Sequence, residues 1–486
     1  MPFRGRAGYI LLAIVIKLVA LFLFAQERAK GSGEEGALYT MTGDAVQYVG
    51  MAENLLKYGE YRTEEGDFAK RMPGYAPIYL ALRFFLSQHD ALHVLLAVQA
   101  VLSGVSCYVL ALVALRITRS ERIFHFVFWA YAISTYVSIW DGYLITESLS
   151  ASLLIFSFWF LLRGRDHQLG IDHLASGALF AWCIFLRPFL IPFLPVYALA
   201  VLFQDNGRGG RLSWGNALLF VLPFLLADGA WLARNKLVMH RWLPLQTSAD
   251  QGGNGPFSIE DPLRNSVSSL TRSLGIDHAS WNPNEATYWF LHADGRLVDR
   301  TLLKKLLNNG RTFGDIEALR EKCVAVAQQG DTALAVQAMK KSAILEMKAL
   351  HDDYKAAHPL HYWIGARLVH WKRFMLHSGV YNIPFPPYAE QDLLQKAVKA
   401  FYAVLYGFGM VFGALVCGVL FLVRLYRVGL LTCILALPLF IMFLFPILLE
   451  AHEYRFNVLC YPFFLVCACW AVHCGLSWAQ HRISTR

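Results

Sequence analysis

The chain has 486 residues, of which 56% are hydrophobic and only 16% are charged. A water-soluble globular protein usually has about 45–50% apolar and about 25% charged residues, so this composition excludes an ordinary soluble protein and favours a polytopic membrane protein. The net charge of +9 is partly carried by arginines in short segments between apolar runs. It therefore does not indicate nucleic-acid binding.

Ten apolar runs are candidates for membrane-spanning helices, which need roughly 17–25 residues. They lie near residues 8–25, 91–115, 123–140, 145–162, 171–187, 188–203, 214–233, 398–423, 428–449 and 456–476. The third and sixth runs are short, and the fifth meets the sixth at Arg187-Pro188. The predicted architecture is an all-α bundle of about ten transmembrane helices, with a margin of one or two.

Arginines in the short connecting segments all fall on one side of the membrane when ten spans are threaded in order. They are Arg4, Arg6, Arg116, Arg119, Arg122, Arg163, Arg165, Arg208, Arg211, Arg424, Arg427, Arg482 and Arg486. Because short loops rich in Arg and Lys face the cytoplasm, we expect a multi-pass protein of the inner (plasma) membrane with both termini cytoplasmic. The long segments 26–90 and 234–396 are then expected on the outer face. The predicted modules are 1–233, an outer domain at 234–396, and 397–486.

The first outer segment contains a short amphipathic helix pattern from Ala45 to Lys57. Its apolar residues recur at helical spacing on one stripe. Asp44 is expected at the N-cap of this helix and Gly59 at its end. A short amphipathic helix joined to a span is expected to lie flat in the membrane interface.

The second outer segment is long enough for a small, mostly helical domain. Residues Leu243 to Asn284 are rich in Pro, Gly, Asn and Ser, which indicates irregular structure, and helix is predicted from Val298 to about Ala357. From His358 to Leu376, large apolar residues alternate with cations. This pattern suits either a second interfacial helix or a core helix of the outer domain, and the sequence favours neither.

Several ionisable residues fall at span ends on the predicted outer face. They are Asp44, Arg71, Asp141, Glu147, Arg187, His452, Glu453 and Arg455. Charges near a bilayer are costly, usually face the bundle interior and often mark function. In a chain poor in charge, this convergence predicts a shared site.

Each of these residues has a simpler interpretation. Asp44 is a favoured type at an N-cap, and Glu147 could cap or solvate a helix start. Arg187 could extend its guanidinium to the interface. Glu453 and Arg455 could form a wet loop or a local ion pair, and a lone histidine such as His452 is more often structural.

Taken together, the set suits group transfer from a lipid-linked phosphate. Guanidinium groups bind phosphate oxygens in a bidentate manner. A nearby carboxylate can accept the proton of a hydroxyl nucleophile.

The sequences DAVQYVGMAENLLKYGEY (44–61) and RMPGYAPIYLAL (71–82) resemble the first outer loop of membrane glycosyltransferases of the GT-C fold. The most similar group is glycosyltransferase family 39, which includes protein O-mannosyltransferases and the bacterial enzymes that add aminoarabinose to lipid A. Further similar stretches are ITESLSASLLIFSFWFLLRG (145–164), FLRPFLIPFLPVYAL (185–199) and EYRFNVLCYPFFLVCACWA (453–471). They stand in the order that the family uses.

The resemblance implies a GT-C fold and roles for individual residues. Asp44 matches the presumed catalytic base, and Glu147 matches an acidic residue that helps to position acceptor or metal. Arg71 and Arg187 match basic positions near the donor phosphate, and Tyr454 and Arg455 match the family's aromatic-basic pattern before the last span. Arg455 is expected at the donor phosphate as well. Substrate contact is expected for Tyr75, Tyr454 and His452. Because Gly43 precedes Asp44, the paired acids of some relatives are missing, which weakens a metal requirement. No cofactor is predicted with certainty, and a divalent metal stays open.

The sequence thus predicts an inverting glycosyltransferase that uses a polyprenyl-phosphate sugar and a protein, lipid or polysaccharide acceptor, with no nucleic-acid partner. One alternative is a transporter or flippase of a lipid-linked precursor, although no inverted repeat is evident. Another is a non-catalytic subunit that displays the outer domain.

Overall fold

A computed structural model describes residues 4–32, 38–39, 41, 43–167, 169–203, 212–245, 261–277, 285–296, 301–329, 334–425 and 429–484. Arg208, Arg211, Arg427 and Arg486 lie outside these ranges. The described residues form nineteen α-helices joined by short 3-10 and π turns, with no strand. This confirms the predicted all-α class.

The first ten helices cover the N-terminal half. They are α1 (Arg4–Ser32), α2 (Asp44–Tyr58), α3 (Ala76–Arg83), α4 (Gln88–Thr118), α5 (Glu121–Ala132), α6 (Thr135–Asp141), α7 (Glu147–His167), α8 (Gly170–Leu186), α9 (Phe193–Leu202) and α10 (Trp214–Met239). The remaining helices are α11 (Pro262–Ser273), α12 (Glu285–Leu291), α13 (Phe313–Gln329), α14 (Leu334–Ala357), α15 (Ala366–Met375), α16 (Leu393–Gly407), α17 (Gly413–Arg424), α18 (Leu430–Phe443) and α19 (Tyr461–Ser484).

Six helices of the described chain are long and apolar enough to cross a membrane, which confirms a multi-pass membrane protein. They are Ala7–Ala25, Gln88–Thr118, Trp214–Met239, Leu393–Arg424, Leu430–Leu448 and Tyr461–Trp478. Helices α5 and α6 meet at a bend of 51° and would together make a seventh. The count of ten is not confirmed, because α7 is not among the six and Gly170–Leu186 and Pro188–Leu202 are shorter apolar helices.

The chain divides into two compact units. The first comprises Met1–Gln246, Ser378–Phe440 and Arg455–Arg486, and the second comprises Thr247–His377 and Ile441–Tyr454. The second unit therefore starts and ends inside the predicted outer domain of 234–396, and it also takes in a later segment. In the sequence-based prediction, that later segment belongs to the C-terminal membrane module, 397–486.

Helix α4 is the centre of the first unit, where it packs against α1, α5 and α7. Its buried positions include the small residues Ala91, Ala100, Gly104, Ala111 and Ala114. Small side chains let helix backbones approach closely where lipid supplies no hydrophobic drive for association. Helix α8 in turn packs between α7 and α10.

A lysine lies fully buried inside the first unit. Lys17 on α1 donates hydrogen bonds to Ser138 Oγ at 2.9 Å and to the Tyr131 carbonyl at 3.4 Å. A buried ammonium is tolerated only when its donors have partners. The bonds therefore fasten α1 to the bent pair formed by α5 and α6.

The second unit has its own hydrophobic core, built from α11 to α14. Asp261 caps α11 by accepting the backbone N–H groups of Leu263 and Arg264. This helix lies inside the stretch predicted to be irregular, so that prediction was wrong at 262–273. The Asp261-Pro262 pair, an N-cap followed by proline at the first helical position, was the missed signal.

The segment from 358 to 376 forms a π turn, His361–Gly365, followed by α15. One face, with Ala366, His370 and Phe374, is buried in the second unit, as a core helix requires. Another face exposes Trp363 and Leu368, together with Leu360 and Ile364. One face of α15 is therefore packed within the second unit, and both alternatives stay predictions.

Candidate functional site

Asp44 is the first residue of α2 rather than its cap. The N-cap is Gly43, with φ of 57°, and no side chain caps this end. The simple interpretation of Asp44 as a helix cap is therefore wrong. The predicted end of the helix is confirmed, because Gly59 adopts the left-handed conformation there with φ of 72°.

The loop that carries Arg71 is held against α8 and α10. Arg234 donates to the carbonyls of Tyr61 and Phe68, each at 2.6 Å. Trp182 on α8 donates to the Gly74 carbonyl at 2.8 Å. A Cβ atom on Gly74 would lie 2.5 Å from the Phe185 carbonyl carbon, so only glycine allows this approach. Because Phe185 is two residues before Arg187, the contact sets the Arg71 loop close to Arg187.

Five charged side chains form an unbroken line. Arg71 Nη2 lies 2.5 Å from Asp44 Oδ1, and Arg455 Nη1 lies 2.7 Å from Asp44 Oδ2. Arg455 Nε is 3.6 Å from Glu147 Oε1, and that oxygen also pairs with Arg187. Five separate segments of the first unit thus supply alternating arginines and carboxylates. Three guanidinium groups against two carboxylates leave the line with one net positive charge.

The line runs from a partly exposed end to a buried end. The side chains of Arg71, Asp44 and Arg455 are 22–24% exposed, whereas those of Arg187 and Glu147 are 9% and 2% exposed. At the buried end, Arg187 Nε and Glu147 Oε2 make no hydrogen bond. Buried polar atoms without partners are costly, so these atoms are natural contact points for a bound polar group.

The two arginines next to Asp44 control its ionisation. Burial alone would raise the pKa of Asp44, but the charges of Arg71 and Arg455 outweigh burial and lower the pKa below its usual value. The carboxylate is therefore ionised at neutral pH. It is also a weak base while both guanidinium groups hold it.

Aromatic rings and an amide complete the surroundings of the arginines. The Arg71 guanidinium lies 5.0 Å from the Tyr48 ring centroid, and its Nε donates to Gln47 Oε1 at 2.8 Å. The Phe456 ring faces both Arg187, at 5.2 Å, and Arg455, at 5.3 Å. Sequence reasoning missed Gln47, Tyr48 and Phe456 as site residues. Gln47 and Tyr48 lie one helical turn after Asp44 on α2, and Phe456 directly follows Arg455. These positions in the sequence could have indicated a role in the site.

Glu147 follows a turn that is fixed from two sides. Ser148 Oγ donates to Asp141 Oδ1 at 2.6 Å. Gln99 Nε2 donates to the carbonyls of Asp141 and Tyr143 at 3.1 and 2.9 Å. Gln99 was also missed as a residue that supports the site, and nothing in its apolar surroundings along α4 marked it.

Tyr75 is buried, and its hydroxyl donates to Gln99 Oε1 at 2.9 Å. Its ring lies 5.4 Å from that of Tyr48. The structure thus connects the Arg71 loop, through Tyr75 and Gln99, to the turn before Glu147. Substrate contact by Tyr75 stays a prediction.

His452 and Tyr454 belong to the second unit. His452 Nδ1 is 2.9 Å from His370 Nδ1, and the Tyr454 ring stacks on His377 at 3.7 Å. Because His370 Nε2 donates to the Arg272 carbonyl at 2.8 Å, its Nδ1 is the acceptor in the histidine pair. The predicted substrate contacts of His452 and Tyr454 are not assembled with Asp44 inside one unit, and they stay predictions.

The structure also bears on the simpler interpretations of Glu147, Arg187 and Arg455. Glu147 is not solvated, and Arg187 does not extend to solvent, since both are buried and paired with each other. Arg455 pairs with Asp44, 411 residues away in the chain, so a purely local ion pair is wrong. Among the residues that the structure describes, no group of three or more His, Cys, Asp or Glu side chains is placed to hold a metal ion.

The chain is similar to one chain among the solved structures, described below. No family model matches the chain, and no curated protein matches it. Among solved structures, ArnT from Cupriavidus metallidurans bound to undecaprenyl phosphate is similar at 14% identity, with 96% of this chain and 78% of that chain covered and a TM-score of 0.33.

Proposed function

We propose that this protein is an integral membrane glycosyltransferase that transfers a sugar from a polyprenyl-phosphate donor to an acceptor on the outer face of the membrane. The observation that carries the proposal is Arg455, which contacts both Asp44 and Glu147 within one line of alternating charges. The resemblance of the sequence to GT-C glycosyltransferases supports the same assignment.

The charge of the line suits this donor. A sugar phosphodiester has one negative charge, which complements the single net positive charge of the cluster. The leaving polyprenyl phosphate has a charge of about −1.5 to −2 at pH 7. Arg71, Arg187 and Arg455 would therefore bind the products' phosphate more strongly than the donor's, and this difference lowers the barrier.

Donor binding would also activate the base. A phosphate that takes guanidinium contacts from Arg71 and Arg455 removes the groups that lower the pKa of Asp44. The phosphate also brings a negative charge next to the carboxylate, which raises the pKa further. Asp44 would thus become a better base only when the donor is in place.

The reaction would be a single displacement. The acceptor hydroxyl or amine forms a bond to the anomeric carbon, and the bond from that carbon to the phosphate oxygen breaks with inversion. Asp44 receives the acceptor proton, and the polyprenyl phosphate leaves with the bonding electron pair. Glu147 holds Arg187 and Arg455 in position and has an oxygen free for the acceptor.

The test is sugar transfer by the full chain in lipid nanodiscs with a polyprenyl-phosphate sugar. Asp44→Asn is expected to lose about 10²–10⁴-fold in kcat, the range of general-base catalysis, while donor binding remains. The matched control is Glu53→Gln, because Glu53 lies on the same helix but pairs with Arg83. Wild-type turnover in Asp44→Asn would overturn the base assignment. Lipid movement across vesicles without sugar transfer would favour the flippase alternative.

A further inference from the structure

The first unit contains an apolar groove along α1. A cavity of about 420 Å³ lies between α1, the α5–α6 pair and α16. Val15, Val19 and Leu23 form the α1 wall, and Val398 and Tyr402 form the α16 wall. Drug-sized ligands occupy pockets of about 300–1,000 Å³, so the groove has room for a lipid chain.

The groove opens sideways along a membrane-spanning helix. Val19 and Leu23 are 53% and 49% exposed, and both lie in the span Ala7–Ala25. A hydrocarbon chain can therefore enter from the bilayer without crossing water.

A second cavity, of about 180 Å³, adjoins the groove. The two cavities share Phe24, Ile383 and Phe385. The smaller one is also lined by Tyr143, Tyr381 and Asn382, so its lining residues are more polar than those of the larger, mainly apolar cavity. An apolar groove with a polar end fits an amphiphile.

Among the side chains that the structure describes, those lining the polar end include no lysine or arginine. This distinguishes it from the arginine line around Asp44 and disfavours a phosphate, which needs charge-assisted bonds. Tyrosine hydroxyls and an asparagine amide instead suit uncharged hydroxyl groups.

Tyr143 connects this polar end to the candidate active site. It lies in the turn between α6 and α7, and Glu147 begins α7. Gln99 holds the Tyr143 carbonyl at 2.9 Å and accepts the Tyr75 hydroxyl at 2.9 Å. A headgroup at Tyr143 would therefore lie on the same turn that carries Glu147.

We infer that this groove binds a second lipid, an amphiphile with an uncharged, hydroxyl-bearing headgroup, and that this lipid is the acceptor substrate. The inference rests on the proposed glycosyltransferase function. It narrows the acceptor to a membrane lipid that enters beside α1. The donor phosphate uses the arginine line instead.

The test is photolabelling of the full chain in phosphatidylcholine nanodiscs, because labelling needs no sugar transfer. The probe is a long-chain alkyl glucoside with a diazirine in its alkyl chain, and labelled peptides are mapped by mass spectrometry. Labels are expected in α1 near Val19 and in α16 near Val398. Val19→Trp and Val398→Trp, which fill the groove from opposite walls, should each reduce labelling about tenfold or more, a loss of about 1.4 kcal/mol in binding.

The matched control is Leu11→Trp, because Leu11 is 64% exposed on the same helix and does not line the groove. This variant should label like the wild type. Labelling that survives both groove-filling variants would overturn the inference. So would a diazirine polyprenyl phosphate that labels the same residues and competes with the glucoside, because the groove would then belong to the donor. If labelling maps as expected while Asp44→Asn retains full turnover, the lipid site stands and the proposed catalytic base fails.

Discussion

Arg455 and Asp44 lie 411 residues apart in the chain, yet their side chains meet at 2.7 Å. The same guanidinium approaches Glu147 through a different nitrogen, at 3.6 Å. A planar guanidinium presents these two nitrogens in a fixed geometry, whereas an ammonium would have to face both carboxylates from a single nitrogen. Arg455 is therefore the residue on which the geometry of the cluster depends.

Arg455→Lys should lower kcat/KM for sugar transfer by about 10- to 100-fold, because a hydrogen bond to a charged group contributes about 1.5–3 kcal/mol. Arg455→Gln should lose more, since both carboxylates then lack their shared cation. Arg83→Gln serves as the control, because Arg83 pairs with Glu53 at 2.6 Å, apart from the line. A fully active Arg455→Lys enzyme would show that the bridge is not needed.

The pH dependence of transfer should reveal the same coupling. The acid limb of kcat/KM reports the pKa of the base in the free enzyme. Burial would raise that pKa for Asp44, and Arg71 and Arg455 lower it below its usual value. Activity is lost as pH falls through the pKa, so Arg71→Gln should move the loss to higher pH. A pH–rate profile of purified variants measures this shift, and an unmoved acid limb would contradict it.

Gly74→Ala should impair transfer without touching any charged residue. Its Cβ would meet the Phe185 and Leu186 backbones at 2.5–2.8 Å, so the Arg71 loop must move away from α8. A displacement of this kind, near 1 Å, can cost about 10²-fold in rate. Gly50→Ala is the control, because no atom lies within 4 Å of its added Cβ. Equal activity of the two variants would argue against a spacing role for Gly74.

Variants of the buried Glu147–Arg187 pair should distinguish an effect on the free energy of unfolding from an effect on sugar transfer. Glu147→Ala leaves a buried guanidinium without its partner, which typically costs about 3–5 kcal/mol of unfolding free energy. Replacing both residues, as Glu147→Leu with Arg187→Met, should restore most of the stability but no transfer. Thermal unfolding and transfer assays on the same preparations give the two readouts. Activity in the double variant would remove this pair from the proposed mechanism.

Helix α15 offers a test of its two faces. Phe374 is fully buried and Leu368 is 56% exposed. Phe374→Ala should destabilise the second unit by about 3–5 kcal/mol, whereas Leu368→Ala should change stability by no more than about 0.5 kcal/mol. Hydrogen exchange of α11 to α15 measures both effects. A large loss in Leu368→Ala would mean that the face is covered rather than free.

Apolar runs predicted the helices well because a membrane span is long and uniform in composition. The number of membrane crossings was harder to predict from the sequence. Helices α8 and α9 are apolar but short, and a 3-10 turn at Pro188 separates them. Lys17 interrupts the first apolar run, and this single charge is the sequence signal of a buried polar contact. Its partners, Ser138 and the Tyr131 carbonyl, could not be known from the sequence because they depend on how α1 packs.

The candidate site was predictable in its residue types but not in its pairing. Scarce charges at span ends indicated Asp44, Glu147 and the three arginines, and the structure brings these five together. No pattern in the sequence indicated that Arg455 would touch both acids, since that contact depends on the packing of distant segments. His452 and Tyr454 are neighbours of Arg455 in the chain, yet they fall in the second unit.

The order of the five charges along the chain has a consequence for biosynthesis. Asp44, Arg71, Glu147 and Arg187 emerge first from the ribosome, and their charges cancel. Arg455, translated hundreds of residues later, supplies the surplus positive charge. Under the proposed function, only the finished chain would therefore carry the net positive charge that a donor phosphate needs.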